Sequence, residues 1–172
     1  IAHKAGYLTY QTPPDTIYMN AYKKQLKKGD IQKAYSGLME YFRGLKSYLK
    51  DKYSDYFVSS NIYHGYMDMT YFSFFPESIK NRNLKVAIVF IHETCRFEVW
   101  LAGNNRNVQK TFCKLIKESD WNKYHIGSTD KGIDYILDHI LIADPDFSDL
   151  DALTNQIESG VLSFIKDVEG YL

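Results

Sequence analysis

The stretch from residue 63 to residue 103 constrains the fold of this chain most, because it reads as three consecutive β-strands. We predict strands at about residues 63–75, 84–91 and 96–102, with the turn-forming residues 76–83 between the first two. The third strand shows the alternation of a half-buried strand most clearly. Its two sides are Phe97, Val99 and Leu101, and Arg96, Glu98 and Trp100. An antiparallel meander of three or more strands is therefore expected.

Helical periodicity precedes and follows these strands. One helix is predicted from Thr16 to Gly29, and a longer amphipathic helix from Asp30 to about Lys52. Three more are predicted at about residues 106–118, from the cap Ser128 to about residue 141, and from Ser148 to the chain end. This order predicts an α+β fold, with N-terminal and C-terminal helices packed on the antiparallel sheet.

The chain has the length and composition of a single domain. Its 172 residues are 45% apolar, which is enough for a hydrophobic core. Met19 is followed by a helical pattern, so we expect the native chain to start at this methionine. We therefore predict an appended N-terminal arm over residues 1–18 and one α+β domain over residues 19–172.

Charge is balanced overall but not along the chain. The sequence has 21 basic and 21 acidic residues, so it has no global field that would attract nucleic acid or an anionic membrane. Residues 1–52 hold ten Lys and Arg against four acids, whereas residues 119–172 hold three against eleven. This polarity predicts that the basic N-terminal helices dock on the acidic C-terminal half. The contact would form within one molecule or between copies in a homo-oligomer.

The remaining composition points to a chain without cofactor, metal or membrane segment. Cys95 and Cys113 have no CxxC spacing, which favours a reducing cytoplasm. No run approaches the ~20 apolar residues of a membrane helix. His64 and Asp68 lie about 13 Å apart on one predicted strand, too far to share a metal. His92 and Cys95 flank a predicted hairpin turn, but no third group orients them as an activated thiol.

The hairpin between the second and third strands has a definite predicted register. A loop of two or four residues around Glu93 and Thr94 fixes which residues face each other. The predicted pairs are Phe90 with Phe97, Ile88 with Val99, Val89 with Glu98, Ala87 with Trp100, and Ile91 with Arg96.

Polar side chains on the predicted sheet form the candidate site. We place Asp68, Thr70, Arg96, Glu98 and Trp100 on one face, and Asp68, Arg96, Glu98 and Trp100 are the candidate ligand-binding residues. The two carboxylates would act as proton donor and acceptor. Two strands apart, they are separated by nearly 10 Å, which excludes a retaining-glycosidase pair but not an inverting one. Alternatively, Arg96 forms a surface ion pair worth ~0–1 kcal/mol.

Three segments resemble an uncharacterised bacterial family, a domain of unknown function. They are Gly65 to Pro76, Lys85 to Phe90, and Arg96 to Gly103, and the similarity extends from about Met19 to Leu172. The resemblance implies a small bacterial cytoplasmic protein. No activity is assigned in that family, so no functional residue is carried over.

No segment has a catalytic motif with diagnostic spacing, so the catalytic residues stay unassigned. The leading hypothesis is a binding or interaction module that self-associates. The alternative is a small enzyme or ligand-binding protein that uses Asp68, Arg96, Glu98 and Trp100. A weaker alternative is nucleic-acid handling by the basic N-terminal half.

Overall fold

The computed structural model of the chain describes residues 15–127 and 135–172. This part of the chain contains five helices and six strands. The helices are α1 (Thr16–Leu26), α2 (Asp30–Lys52), α3 (Glu77–Lys80), α4 (Arg106–Lys117) and α5 (Leu150–Tyr171). The strands are β1 (Phe57–Val58), β2 (Met69–Phe75), β3 (Leu84–Ile91), β4 (Arg96–Gly103), β5 (His125–Ile126) and β6 (Leu137–Ile142). The predicted α+β class is confirmed.

The strands form one six-stranded antiparallel sheet in the order β1-β2-β3-β4-β6-β5. The predicted meander is its centre, where β2, β3 and β4 pair in sequence order. A β-bulge interrupts the pairing of β4 with β6 next to Glu98, because Phe97 pairs with Ile142 but Glu98 pairs with Ile140.

The hairpin of β3 and β4 has the predicted register. Four residues separate Ile91, the last residue of β3, from Arg96, the first of β4. All five predicted pairs are present, including Val89 with Glu98. Cys95, the last residue of the turn, has a φ of 50°, so it takes the left-handed conformation that reverses the chain.

Alternation along the strands gives the sheet two unlike faces. The core face carries nearly inaccessible apolar side chains: Phe72, Phe74, Val86, Ile88, Phe90, Phe97, Val99 and Leu101. We call the opposite side the outer face; it bears Met69, Tyr71, Ser73, Lys85, Ala87, Val89, Ile91, Arg96, Glu98, Trp100, Asp138 and Ile140. Most outer-face side chains are half-buried, and Ala87, Val89 and Glu98 at the centre of this face are buried. Helix α5 packs on the core face, because Tyr124 contacts both Phe164 of α5 and His139 opposite Val99.

Polar side chains mark where three of the helices begin. Asp15, Asn105 and Asp149 precede α1, α4 and α5, and each accepts hydrogen bonds from main-chain N–H groups of the first turn. Gly29, with a φ of 80°, supplies the left-handed residue that separates α1 from α2. These boundaries lie within a few residues of the predicted ones.

A buried carboxylate joins the end of α2 to α5. Glu158 is 7% exposed and accepts hydrogen bonds from the Tyr48 hydroxyl at 2.8 Å and from the Tyr53 hydroxyl. Lys52 Nζ lies 2.7 Å from Glu158 Oε1 and also donates to the Tyr48 hydroxyl. Burial raises the pKa of Glu158, but hydrogen bonds from Lys52, Tyr53 and Tyr48 outweigh it and lower that pKa below its ordinary value.

The chain divides into two compact units, one ending at Phe42 and the other running from Arg43 to Leu172. The second unit contains the whole sheet, α3, α4, α5 and the end of α2. In the part of the chain that the structure describes, no helix is long and apolar enough to cross a membrane.

Two predictions of secondary structure are wrong: the helix up to about residue 141 and the start of the first strand. Residues 137–142, predicted as the end of a helix, form strand β6. A short apolar run fits both the helical period and the strand period, and pairing with the open edge of β4 favours the strand. The predicted cap Ser128 lies outside the described residues, as do residues 1–14 of the predicted arm. The first strand of the meander begins at Met69 rather than Tyr63, because Gly65 and Met67 have φ values of 69° and 66°.

Candidate binding site on the outer face of the sheet

Glu98 is the centre of the candidate site and is 3% exposed. Arg96 Nε donates to Glu98 Oε1 at 2.6 Å, and Arg96 Nη2 lies 2.6 Å from the same oxygen. Trp100 Nε1 donates to the other oxygen, Oε2, at 2.6 Å. One carboxylate therefore holds the two neighbouring outer-face side chains of β4, an arrangement we call the Glu98 clamp.

The alternation of β4 builds this clamp. Residues 96, 98 and 100 point to the same side of a strand, so their side chains stand in one row. Val89 lies opposite Glu98 on β3 and Ala87 opposite Trp100, and these small side chains leave room for the guanidinium and the indole. The alternation of Arg-Phe-Glu-Val-Trp thus places all three groups on one face, beside the small side chains of β3.

Residues of β5 and of the segment that follows it extend the site beside the clamp. The ring of Tyr135 contacts that of Trp100, with 4.9 Å between the centroids. Asp138 lies opposite Trp100 on β6, and His125 Nδ1 forms a hydrogen bond with its carboxylate. Burial, and then the charges of Asp138 and Glu98, raise the pKa of the Tyr135 hydroxyl, which keeps it protonated near neutral pH.

The sequence did not reveal Tyr135, Asp138 or His125 as members of this surface. All three lie in the segment where a helix was expected or no element was assigned. Once residues 137–142 are read as a strand beside β4, the register alone places Asp138 next to Trp100. The missing signal was the pairing of that strand.

The structure brings together three of the four predicted site residues. Arg96, Glu98 and Trp100 form the clamp, whereas Asp68 precedes β2 and turns its carboxylate back to accept the Tyr66 N–H at 2.8 Å. Thr70 was also predicted on the outer face, and this prediction is wrong. It pairs with Phe90, which pairs with Phe97, so Thr70 lies on the core face.

Thr70 and Asp68 belong instead to a cluster around His92. The Thr70 hydroxyl is inaccessible, donates to the main-chain oxygen of His64 at 3.1 Å, and lies 2.8 Å from His92 Nε2. The donor in the contact between Thr70 and His92 is set by the tautomer of the imidazole ring. Burial lowers the pKa of His92, and the Asp68 carboxylate partly opposes this. His92 and the His64 oxygen together hold the Thr70 hydroxyl in place.

Neither cluster has the composition of a metal or thiol site. Within the described ranges, no three His, Cys, Asp or Glu side chains converge as metal ligands. The Cys95 thiol donates to the main-chain oxygen of His92 at 3.4 Å, so the contact predicted across the turn is with the backbone. Main-chain N–H groups, that of Tyr66 first, lower the pKa of Asp68.

The clamp has the chemistry of a binding surface. Both oxygens of Glu98 are occupied by donors from Arg96 and Trp100, so the carboxylate is already engaged before any ligand arrives. Three side chains of this surface are half-buried rather than buried: Arg96, which is 34% exposed, Trp100 and Tyr135. Such groups contact a partner by stacking and hydrogen bonding.

Fold and site together define an α+β protein whose six-stranded antiparallel sheet presents an arginine and aromatic rings on one face. Residues 16–172 match the family described as a domain of unknown function, DUF7000, and the chain belongs to this family. The predicted resemblance to such a family is confirmed. The comparison with curated proteins and the comparison with solved structures each gave no match.

Proposed function

We propose that the chain is a binding module that recognises a partner protein through the outer face of its sheet. The observation that carries this proposal is the Glu98 clamp, which fixes an arginine and a tryptophan at a half-exposed surface. Trp, Tyr and Arg are the residue types that contribute most of the binding energy in protein interfaces. Trp100, Tyr135 and Arg96 supply all three.

Fixed side chains favour this use. Binding costs about 0.5–1.5 kcal/mol for each flexible side chain that must be immobilised. Arg96 is held through Nε and Nη2, and Trp100 through its indole N–H and the ring of Tyr135. These side chains have lost much of their freedom before the partner binds, so more of the contact energy contributes to affinity.

The proposal has a direct test by site-specific crosslinking. A photoreactive amino acid replaces Ile140, which is 41% exposed on the outer face and pairs with Glu98. Crosslinked proteins are collected from cells that express the chain, and the purified candidate is titrated by calorimetry. Trp100→Ala should weaken its binding by roughly 30-fold, the effect of a hot-spot residue of about 2 kcal/mol.

Tyr66→Ala is the matched control, because Tyr66 is an aromatic residue that is 90% exposed but lies outside the outer face. It should leave the affinity unchanged. Equal losses in Tyr66→Ala and Trp100→Ala, or no partner that depends on Trp100, would contradict the proposal. A small molecule that binds instead, and is lost in Trp100→Ala, would support the alternative of a ligand-binding protein.

A further inference from the structure

Helix α1 is amphipathic but buries none of its residues. Its apolar side chains face solvent, since Ile17 is 75% exposed, Tyr18 71% and Tyr22 51%. An 11-residue helix is marginal in water unless an apolar face packs on another surface. No described residue of the first unit covers these side chains, so α1 has the character of a helix that awaits a second molecule.

Helix α1 and the two residues after it carry positive charge that no described acid neutralises. Residues 16–28 contain four lysines and no acid: Lys23, Lys24, Lys27 and Lys28. None of these lysines belongs to an ion pair among the described residues. Lys23 and Lys27 lie with Met19, Tyr22 and Leu26 around one shallow hollow. A partner for α1 should therefore combine negative charge with apolar side chains.

The C-terminal part of the same chain has a surface of this kind. Residues 144–151, which we call the acidic corner, hold four exposed carboxylates: Asp144, Asp146, Asp149 and Asp151. No lysine or arginine occurs from residue 132 to residue 165, and no described cation pairs with these carboxylates. Leu150, in the middle of the segment, is 46% exposed. The acidic corner is thus opposite to α1 in charge and, like α1, has an exposed apolar side chain.

We propose that the chain self-associates through contact between α1 of one copy and the acidic corner of a second copy. The contact pairs four lysines with four carboxylates that have no ion-pair partner among the described residues, and it covers apolar side chains on both sides. An anionic lipid surface would satisfy α1 but leave the acidic corner exposed. A second copy satisfies both, which is why we infer it as the occupant.

Sedimentation equilibrium of the full chain over about a hundredfold concentration range tests the proposal. Association should be detectable at about 0.05 M salt. It should weaken at least about tenfold at about 0.5 M, where the screening length falls from roughly 14 to 4 Å. A monomer at every concentration and salt, or an association that salt does not weaken, overturns the proposal.

Charge reversal identifies the two surfaces. Lys23→Glu/Lys27→Glu and Asp144→Lys/Asp151→Lys should each abolish self-association alone, and an equimolar mixture of the two variants should associate again. Lys110→Glu/Lys117→Glu, an equal charge change on exposed positions of α4, should associate like the unchanged chain. Association that survives both reversals, or a mixture that stays monomeric, refutes the contact. The Trp100→Ala variant should associate normally, so this proposal and the proposed function fail separately.

Discussion

Replacing Glu158 tests the packing of α2 against α5 most directly. A hydrogen bond to a charged group contributes about 1.5–3 kcal/mol to the free energy of unfolding. The Glu158 carboxylate accepts one from Tyr48 and one from Tyr53. After Glu158→Ala, Tyr48 still has Lys52 as a partner, whereas no described residue replaces the carboxylate at Tyr53. We expect Glu158→Ala to cost about 2–4 kcal/mol and Glu158→Gln about 1–2 kcal/mol, because the amide oxygen still accepts one hydroxyl.

Chemical denaturation monitored by circular dichroism measures these losses in the free energy of unfolding. In thermal unfolding, Glu158→Ala should lower Tm by roughly 5–10 °C. The control is Glu169→Gln on the same helix, where the exposed carboxylate accepts the Ser78 hydroxyl and the change should stay within about 0.5 kcal/mol. A double-mutant cycle of Tyr53→Phe with Glu158→Gln should give a coupling of about 1 kcal/mol. The reasoning is refuted if Glu158→Ala and Glu169→Gln cost the same.

The Glu158 cluster also sets a pH dependence. Folding lowers the pKa of Glu158, so its contribution is complete above the unfolded pKa of about 4.3 and disappears as the pH falls through the lower folded pKa. The stability difference between the unchanged chain and Glu158→Gln should therefore shrink in acid. The hydrogen bond to Glu158, and then burial, raise the pKa of Tyr53 to about 12, so its contribution is complete below about pH 10 and declines towards pH 12.

Substitutions at four further positions test local features by thermal or denaturant unfolding. Gly44→Ala should stabilise the chain by about 0.5–1 kcal/mol, because the glycine lies in α2 with no atom within 4 Å of a new Cβ. Gly103→Ala should instead destabilise it, since the Cβ would meet the Gln109 main-chain nitrogen at 2.6 Å; equal effects would disprove the steric argument. Thr70→Val should cost about 1–3 kcal/mol by leaving the His64 oxygen and His92 without the hydroxyl, and an unchanged midpoint would count against that bond. Asn105→Ala should cost about 1 kcal/mol through the lost cap of α4, an effect that Asn105→Asp should avoid.

The sequence was a good guide wherever local pattern decides the outcome. The register of β3 with β4 follows from alternation and a four-residue turn, so Arg96, Glu98 and Trp100 could be placed together before the structure. Helix α2 was predicted with its observed limits for the same reason, since its apolar positions recur at helical spacing.

The predictions from sequence failed where contacts between distant segments determine the structure. Strand β6 is defined by pairing with β4, some forty residues earlier in the chain, and its apolar residues fit a helix equally well in isolation. Thr70 was placed on the outer face with Asp68, because residues two apart on a predicted strand share one face. The structure reverses this, since His92 and the His64 oxygen give the buried hydroxyl its partners.

The outermost strands of the sheet restrict how this protein can bind other proteins. Both outermost strands, β1 and β5, are only two residues long, and the main chain of Ser59 and Tyr63 covers the outer edge of β2 beyond β1. A sheet that ends this way offers no long row of free N–H and C=O groups at that edge on which another strand could form. At that edge a partner must therefore recognise side chains, so single substitutions there should be able to separate one interaction of this chain from another.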